Sequence, residues 1–419
     1  MDSSLRQKFI EILGTEHVRP VTPADSISGV QPQFILEPAS ESQLAAALRL
    51  ANESKLAVIP RGGGTKLGWG NPPAGTDLIL STSRLNHVVE HAWADLTVTV
   101  EAGCTVQTLQ ETLAKHGQRL ALDPLWPERA TVGGILSTND SGALRLRFGA
   151  LRDLIIGVTI TLPDGTLASS GGKVVKNVAG YDLPKLVTGT LGTLGVITRA
   201  VFRLHPLPRL MRSFTISGAG PDHAQKLILA IQDSKLAHVA LQSRLSGDAG
   251  PSVEILFEGT EAGLRAQAML LPSLCGSVHI SEASPSVWSA RQDLWSFSNP
   301  EENAIAKISI LPTDLARTIE LLRSVADSTH LQWKSLMYAT GLGWLRLEGP
   351  SDKLHHALTT LRPTVERMGG SLVLLHRPAT SPAFDAWGTS GDSLPLMKSI
   401  KHQLDPANTL NPGRFLSGI

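Results

Sequence analysis

The spacing of apolar residues in the first half of the chain predicts alternating helices and short strands. Residues 40–55 carry apolar side chains at helical spacing, and Ser40 with Gln43 forms a capping box at the start of that helix. The apolar run 56–59 predicts a buried strand that leads directly into a glycine-rich segment. The same pattern predicts a strand at 96–101, a helix at 105–116, a hairpin at 153–167 around a Pro-Asp-Gly turn, and a strand at 196–204.

The second half has a different order of elements, which begins after the proline-rich segment 206–209. Strands and helices are expected there in the order β-α-β-β-α-β, at 212–217, 222–234, 237–244, 253–257, 261–271 and 277–281. The order repeats at 304–310, 312–326, 331–338, 343–347, 351–368 and 371–375. Two ferredoxin-like halves side by side would form one antiparallel sheet with helices on one face.

These patterns predict an α+β protein with more than one domain, because 419 residues are too many for a single core. We expect an N-terminal helical segment at 1–27, a first domain at 28–208, and an α+β cap domain for substrate or partner at 209–419. The N-terminus has no basic region followed by an apolar run, and no stretch reaches the length of a membrane span. The sequence therefore predicts a cytoplasmic location.

Charge and cysteine content exclude several classes of function. Lys+Arg 38 against Asp+Glu 37 leaves a net charge of +1, so neither nucleic acid nor an anionic membrane surface is expected as a partner. Cys104 and Cys275 are the only cysteines and lie far apart, which excludes an iron–sulfur cluster or structural zinc built by this chain alone. His87 and His91 lie four apart without any metal-binding motif around them, so no metal is predicted.

The most informative segment is VIPRGGGTKLGWG, residues 58–70, which follows the strand predicted at 56–59. A dinucleotide-binding turn would open directly into a helix, but this segment runs into Asn71, Pro72 and Pro73. The P-loop pattern G-x-x-x-x-G-K-[ST] is also absent from the chain. What remains is a nest of backbone amides around an anion, with Arg61, Thr65 and Lys66 adding side-chain donors, or else a plain irregular loop.

Two more glycine-rich segments occur before residue 200, namely DPLWPERATVGGILSTNDSG at 123–142 and VTGTLGTLGVIT at 187–198. Any one of the three segments could simply be a turn. Three such segments in one domain fit a long ligand that contains a diphosphate better than three unrelated turns do.

With all three segments in view, residues 28–208 resemble the FAD-binding domain of the vanillyl-alcohol-oxidase type, also called the p-cresol methylhydroxylase (PCMH) fold. The matching motifs are PRGGGTK, TVGG with NDSG, FGALRDLIIGVTITLPDG, GYDLPKL and GTLGVIT. The stretch GGKVVKNVAGYDLPKLVTGTLGTLGVIT and the ending LDPANTLNPGRF are similar to the FAD-binding E subunits of bacterial glycolate oxidases (glycolate dehydrogenases). The resemblance implies a two-subdomain PCMH-type domain followed by an α+β domain.

The resemblance also implies which residues hold FAD. The first loop wraps the pyrophosphate, the second segment flanks the pyrophosphate and ribityl chain, the third lies along the cofactor, and the terminal Asn lies near the flavin ring. The residues at those positions are Arg61, Gly62, Gly63, Gly64, Thr65, Lys66, Thr131, Val132, Gly133, Gly134, Ser137, Gly142, Gly195, Val196, Ile197 and Asn411. Since residues 61–70 contain neither His nor Cys, we expect FAD to be noncovalent, and Cys104 to be a buried small residue.

In function, the resemblance implies the FAD-binding subunit of a complex that oxidises glycolate or a related 2-hydroxy acid. Such a subunit works beside a catalytic flavoprotein subunit and an iron–sulfur subunit, and it meets the inner face of the membrane only through them. Five tryptophans are candidate anchors for these partners, although tryptophans are commonly core residues: Trp288, Trp295, Trp333, Trp344 and Trp387.

No catalytic residue is assigned. The catalytic subunits of this family carry a His-rich HxGDGNxH motif, whereas this chain reads GGSLVLLHRPA in the corresponding region. Oxidation of a hydroxy acid requires a base for the hydroxyl proton and cations for the carboxylate. His376 with Arg377, Arg346 or Arg362 could supply both, or His376 and Arg377 could be an ordinary surface pair.

Two other functions remain open. One is a self-sufficient FAD-dependent dehydrogenase or oxidase of a hydroxy acid or alcohol. The other is a subunit that keeps the fold but serves only in assembly. The retained glycine-rich segments argue against the second, because glycine without a ligand mainly costs conformational entropy.

Overall fold

The computed structural model describes residues 3–173, 181–247, 249–276 and 278–419. The part of the GGKVVKNVAGYDLPKL motif at 174–180, the first residue of the strand predicted at 277–281 and the first two residues of the chain lie outside the described residues. The described chain forms the strands β1 Val18–Pro20, β2 Phe34–Leu36, β3 Val58–Arg61, β4 Leu78–Ser81, β5 Val88–Ala92, β6 Thr97–Glu101, β7 Gln118–Arg119, β8 Ile155–Thr161, β9 Leu167–Gly171, β10 Val196–Arg203, β11 His205–Pro206, β12 Leu210–Ser217, β13 His238–Ser246, β14 Ser252–Gly259, β15 His279–Glu282, β16 Asn303–Ser309, β17 Gln332–Tyr338, β18 Leu342–Glu348 and β19 Ser371–His376. Its helices are α1 Ser3–Leu13, α2 Glu41–Glu53, α3 Val106–Ala114, α4 Val132–Thr138, α5 Arg145–Phe148, α6 Leu151–Leu154, α7 Leu183–Val187, α8 Pro221–Asp233, α9 Glu261–Leu270, α10 Pro272–Cys275, α11 Ala290–Asp293, α12 Leu315–Thr329, α13 Ser351–Arg367 and α14 Leu394–Leu404.

The chain forms two compact units. The first contains residues 1–141, 149–207 and 390–419, and the second contains 142–148 and 208–389. The start of the second unit at Pro208 falls within the proline-rich segment that marks the boundary in the sequence. The observed second unit differs from the domain expected at 209–419 in its C-terminal part, because residues 390–419 pack with the first unit.

The first unit contains two main sheets. In the four-stranded sheet, ordered β1-β2-β4-β3, strands β2 and β3 run parallel to β4, and β1 is antiparallel to β2. The five-stranded sheet, ordered β5-β6-β10-β8-β9, is antiparallel throughout. Helix α2 buries the apolar face expected from the sequence, and Ser40 Oγ accepts a hydrogen bond from the Gln43 amide at 3.2 Å. The Gln43 side chain in turn accepts from the Ala39 amide at 2.8 Å, one residue before the usual partner of a capping box.

The predicted Pro-Asp-Gly hairpin is confirmed by the pairing of β8 with β9. The Leu162 amide donates to the Thr166 carbonyl oxygen at 2.9 Å, which closes the turn. Gly165 adopts φ +82°, a conformation that glycine adopts without steric cost.

The second unit contains an eight-stranded antiparallel sheet in the order β15-β12-β14-β13-β17-β18-β16-β19. Each half is a β-α-β-β-α-β unit, and the halves join where β13 pairs with β17, Gln242 opposite Tyr338. Alternate residues of β14 (Val253, Ile255 and Phe257) pack with the helices in one apolar core. The prediction of two ferredoxin-like halves is therefore confirmed. The sequence could predict them because the spacing of apolar residues that marks each strand and helix lies within one short segment. Among the described helices, none has both the length and the apolar character needed to cross a bilayer.

Candidate functional site

An open cavity lies within the first unit. Its walls come from the end of β3 with the following loop, from α4, from the segment before β10, and from the C-terminal segment. All but two of the residues expected to hold the cofactor line this cavity: Arg61, Gly62, Gly63, Gly64, Thr65, Lys66, Thr131, Gly133, Gly134, Ser137, Gly195, Val196, Ile197 and Asn411. The exceptions are Val132, which is buried in the apolar core, and Gly142, which falls in the second unit.

The first glycine-rich loop presents unpaired backbone donors. Within the described part of the chain, the amides of Gly62, Gly63, Gly64 and Thr65 donate to no backbone or side-chain acceptor. Gly64 adopts φ +73°, which turns the chain within the loop. Consecutive amides without acceptors are the arrangement that binds an oxyanion in a nest.

The glycines are also required by close packing inside the protein. A β-carbon on Gly62 would lie 2.0 Å from Thr131 Oγ1, and one on Gly63 would lie 1.8 Å from the carbonyl oxygen of Arg129. No other residue type fits at such distances, so the loop lies directly against the segment that leads into α4.

The start of α4 is fixed by its own cap and by a neighbouring loop. Thr131 Oγ1 accepts from the Gly134 amide at 3.3 Å, while the amides of Val132 and Gly133 donate to the carbonyl oxygens of Cys104 and Ala102. Val132 therefore anchors the segment through the core instead of facing the cavity. Gly134 and Ser137, further along the helix, remain at the wall.

Both cations of the first loop are engaged with carboxylates. Arg61 Nη1 lies 2.6 Å from Asp25 Oδ1, and Lys66 Nζ lies 3.1 Å from Asp140 Oδ2 in a buried pair. Burial alone would raise the pKa of Asp25, but hydrogen bonds from Arg61 and Thr22 lower it to about 2. Since these charges are balanced inside the protein, the loop offers an anion chiefly its backbone amides.

The C-terminal segment completes the wall of the cavity. Leu410 forms a parallel bridge with Val58 of β3, and the Asn411 amide donates to the Val58 carbonyl oxygen at 3.0 Å. The Asn411 side-chain amide donates to the carbonyl oxygen of Leu191, in the third glycine-rich segment. Asn411 of the terminal NPG motif is thereby held against β3 and against the third glycine-rich segment.

A buried ion pair anchors this segment. Lys401 Nζ lies 2.5 Å from Asp405 Oδ2 and donates to the carbonyl oxygens of Thr193 at 2.9 Å and Leu410 at 3.0 Å. Asp405 accepts hydrogen bonds from the amides of Thr409 and Leu410. Burial lowers the pKa of Lys401, although Asp405 opposes this shift.

Several cavity residues were missed by the sequence reasoning: Pro60, Leu67, Thr82, Thr138, Leu191, Gly192 and Arg414. Arg414 is the most notable of these because it is a cation with only 4% of its surface exposed. Its Nη2 donates to the carbonyl oxygens of Leu67 and Trp69, the latter at 2.8 Å, and burial lowers its pKa to about 10. The ending NPGRF is the sequence signal for Arg414, although the resemblance implies a role only for the Asn of that motif.

The side chains considered as catalytic candidates lie in the second unit, and they form hydrogen bonds to other residues of that unit. His376 Nε2 donates to the Pro300 carbonyl oxygen at 3.1 Å, its ring stacks on Phe297, and burial lowers its pKa. Arg377 donates to the Pro382 carbonyl oxygen at 2.6 Å. These contacts give His376 and Arg377 a role in holding loops, and neither is assigned to catalysis.

The two remaining arginines are similarly engaged. Arg346 donates to Asn303 Oδ1 and to Glu348, each at 2.7 Å. Arg362 donates to the carbonyl oxygens of Leu372, Asp385 and Ala386.

Two of the five candidate anchor tryptophans are core residues. Trp333 and Trp344 are buried in the eight-stranded sheet. Trp288 donates through Nε1 to Ser213 Oγ at 2.9 Å.

Cys104 is fully buried in the core of the first unit, where burial raises the pKa of its thiol to about 11.

Comparison with known proteins agrees with this geometry. Residues 32–171 match the family model described as an FAD binding domain. The chain is 23% identical to glycolate oxidase subunit GlcD of Bacillus subtilis (strain 168), over 99% of this chain and 97% of that protein. It is 26% identical to the mitochondrial D-lactate dehydrogenase [cytochrome] of Arabidopsis thaliana (92% of this chain, 73% of that protein). It is also 26% identical to D-2-hydroxyglutarate dehydrogenase of Xanthomonas citri pv. viticola (97% and 92%).

Solved structures show the same fold. The structure of p-cresol methylhydroxylase with substrate bound superposes with a TM-score of 0.77 at 13% identity, covering 98% of this chain and 96% of that one. An alkyldihydroxyacetonephosphate synthase gives a TM-score of 0.78 at 16% identity, covering 99% and 86%.

The protein is thus an FAD-dependent oxidoreductase, as the family resemblance implied. The whole chain has the PCMH-type fold, and the match to the FAD-binding family model covers residues 32–171 of it. The cavity fits FAD in chemical terms, because consecutive backbone amides without acceptors at its wall suit the diphosphate.

Proposed function

We propose that this protein is the FAD-binding subunit of a complex that oxidises glycolate or another small 2-hydroxy acid. The observation that carries this proposal is the cavity with unpaired amides at residues 62–65, in a chain similar over nearly its whole length to three proteins named for 2-hydroxy acids. When bound, FAD supplies the acceptor for a hydride from the carbon that bears the hydroxyl group.

In this proposal, the residues that line the cavity hold the cofactor. The amides of residues 62–65 bind the diphosphate, the segment around Gly134 and Ser137 flanks it, and Gly195–Ile197 run along the cofactor. Asn411 lies near the flavin, fixed by its bonds to Val58 and Leu191. Arg61 and Lys66 act by shaping the loop, since their charges are paired with carboxylates.

We propose that electrons then leave this subunit through an iron–sulfur partner, beside a catalytic flavoprotein subunit. The two cysteines of the chain are buried and far apart in sequence, so clusters for such a transfer belong to another chain. The similar protein from Bacillus subtilis is itself named as a subunit of glycolate oxidase. Such a complex would bring this chain to the inner face of the membrane from the cytoplasm.

A self-sufficient dehydrogenase is the second candidate, and a specific observation favours it. The relatives from Arabidopsis and Xanthomonas are named as dehydrogenases and not as subunits, and both match more than nine-tenths of this chain. A subunit that serves only in assembly has less support, because unpaired amides in a cavity have no purpose without a ligand.

The deciding experiment is an anaerobic titration of the purified chain, followed by its visible spectrum. Glycolate, D-lactate and D-2-hydroxyglutarate are added in turn, with acetate, which lacks the hydroxyl group, as the control. Bleaching of the yellow protein by one hydroxy acid supports the self-sufficient enzyme. Bleaching only after the partner subunits are added supports the complex. No bleaching with any of the acids in either case contradicts both proposals.

A further inference from the structure

The loop that presents the unpaired amides is tied down at both ends. One end continues from β3, which pairs with β4. The other end, residues 67–74, has no regular secondary structure before β4 begins at Leu78. The contacts that hold this second end therefore decide whether the amides face the cavity.

Those contacts come from the C-terminal segment. The Asn71 amide donates to the Arg414 carbonyl oxygen at 2.9 Å, and the Ala74 amide donates to the Pro412 carbonyl oxygen at 2.8 Å. The Arg414 guanidinium donates to the carbonyl oxygens of Leu67 and Trp69, which lie two and four residues after the end of the amide cluster at 62–65. One side chain thus fixes the loop from about 345 residues away in sequence.

The same side chain brings a positive charge to the cavity wall. Arg61 and Lys66, the cations of the loop itself, are paired with Asp25 and Asp140. Arg414 lines the cavity, and its guanidinium donates to oxygens of Leu67, Trp69 and Asn411. With a pKa of about 10, Arg414 stays protonated at neutral pH despite its burial.

We propose that Arg414 is a positioning residue for FAD, which holds the amide cluster open toward the cavity and supplies a positive charge to its wall. Orientation of the amides before binding spares part of the entropy cost of ordering the loop. A buried cation also attracts an anionic ligand more strongly than an exposed cation does, because its surroundings have a low dielectric constant. This inference rests on FAD as the cofactor and is independent of which hydroxy acid is the substrate.

The test is to remove FAD from the full-length protein and to measure its rebinding by the quenching of flavin fluorescence. Arg414→Met keeps an unbranched side chain and removes the charge and the hydrogen bonds to Leu67, Trp69 and Asn411. We expect the FAD dissociation constant to rise at least about tenfold. Arg414→Lys, which keeps the charge without the planar fork, is expected to fall between Arg414→Met and the unchanged protein.

Arg362→Met is the matched control. Arg362 is also a buried arginine whose guanidinium donates to backbone carbonyl oxygens, but it lies in the second unit and does not line the cavity. We expect Arg362→Met to leave FAD affinity within about twofold of the original. The proposal is overturned if Arg414→Met binds FAD as tightly as the Arg362→Met control does.

Hydrogen exchange on the unmodified protein keeps the proposal testable if Arg414→Met does not fold. FAD is expected to slow the exchange of amides at 62–71 and also at 410–415, since the two segments are bonded together. Protection of 62–71 without any change at 410–415 would overturn the proposal. Neither measurement uses a substrate, so a failure here is distinct from a failure to oxidise hydroxy acids.

Discussion

At Gly63 a β-carbon would lie 1.8 Å from the carbonyl oxygen of Arg129, whereas nothing lies within 4 Å of the corresponding position at Gly68. Both glycines occur in the same segment, so they make a matched pair. Gly63→Ala should destabilise the protein by about 1–3 kcal/mol or more, because backbone must move to relieve the overlap. Gly68→Ala should change stability by less than about 1 kcal/mol.

Urea unfolding and the flavin content of the purified variants check this prediction. Gly63→Ala should also lose FAD, since a displaced loop no longer aims its amides at the cavity. Equal behaviour of the two variants would mean that the packing of the loop against residues 129–131 does not matter.

The Asp25–Arg61 pair gives stability a particular dependence on pH. The pKa of Asp25 is about 2 in the folded protein, below its ordinary value of 3.8, so the unfolded chain binds more protons between these values. The contribution of the pair is therefore complete above about pH 4 and is lost as the pH falls toward 2. Asp25→Asn should remove it.

The measurement is the free energy of unfolding from urea titrations between about pH 2 and pH 6. The unmodified protein should lose stability more steeply than Asp25→Asn as the pH falls through this range. Parallel curves for the two proteins would contradict the assignment of the low pKa to this pair.

At the scale of elements, helix α2 shows how a local pattern specifies a boundary. Ser40 ends the extended chain and accepts from the Gln43 amide, so the helix begins at Glu41. Ser40→Ala should destabilise the protein by about 1 kcal/mol, because a helix N-terminal amide loses its acceptor.

Ser54→Ala at the other end of α2 is the control, since Ser54 caps the helix only through its backbone. It should change stability by less than about 0.5 kcal/mol. Thermal unfolding of the two variants side by side makes the comparison, and a Ser54→Ala variant as unstable as Ser40→Ala would argue against the cap.

At the scale of the whole molecule, the C-terminal segment belongs to the first unit. Leu410 is fully buried in a core cluster with Phe9 and Val58, while Leu396, also in this segment, is 64% exposed. Leu410→Ala should destabilise the protein by about 2–5 kcal/mol, and Leu396→Ala by less than about 0.5 kcal/mol.

Calorimetry is the appropriate measurement, because it resolves units that unfold separately. Leu410→Ala should lower the transition of the first unit and reduce bound FAD, since its neighbour Asn411 lines the cavity. A shift confined to the second unit would show instead that the segment stabilises the cap domain, as the sequence-based division at 209–419 implied.

The sequence by itself determined helix α2, the strand before the first loop, the Pro-Asp-Gly hairpin, the two ferredoxin-like halves and the three glycine-rich segments. It did not predict β1, β2, β4, β5 or α14. Each of the predicted features follows from residues close together in the chain: a period of two or 3.6 in apolar positions, a cap, a turn, or a cluster of glycines. The resemblance of those segments to PCMH-type domains added FAD, which the family match confirms.

Only the tertiary structure decided how charges and chain ends are used at the cavity. Arg61 and Lys66 were expected as anion donors, but Asp25 and Asp140 pair with them, and these acids lie 36 and 74 positions away, respectively. Arg414 reaches Trp69 across 345 positions. Such contacts leave no periodic trace in a sequence, because they depend on where the whole chain places two distant residues and on the cost of burying a charge without compensation.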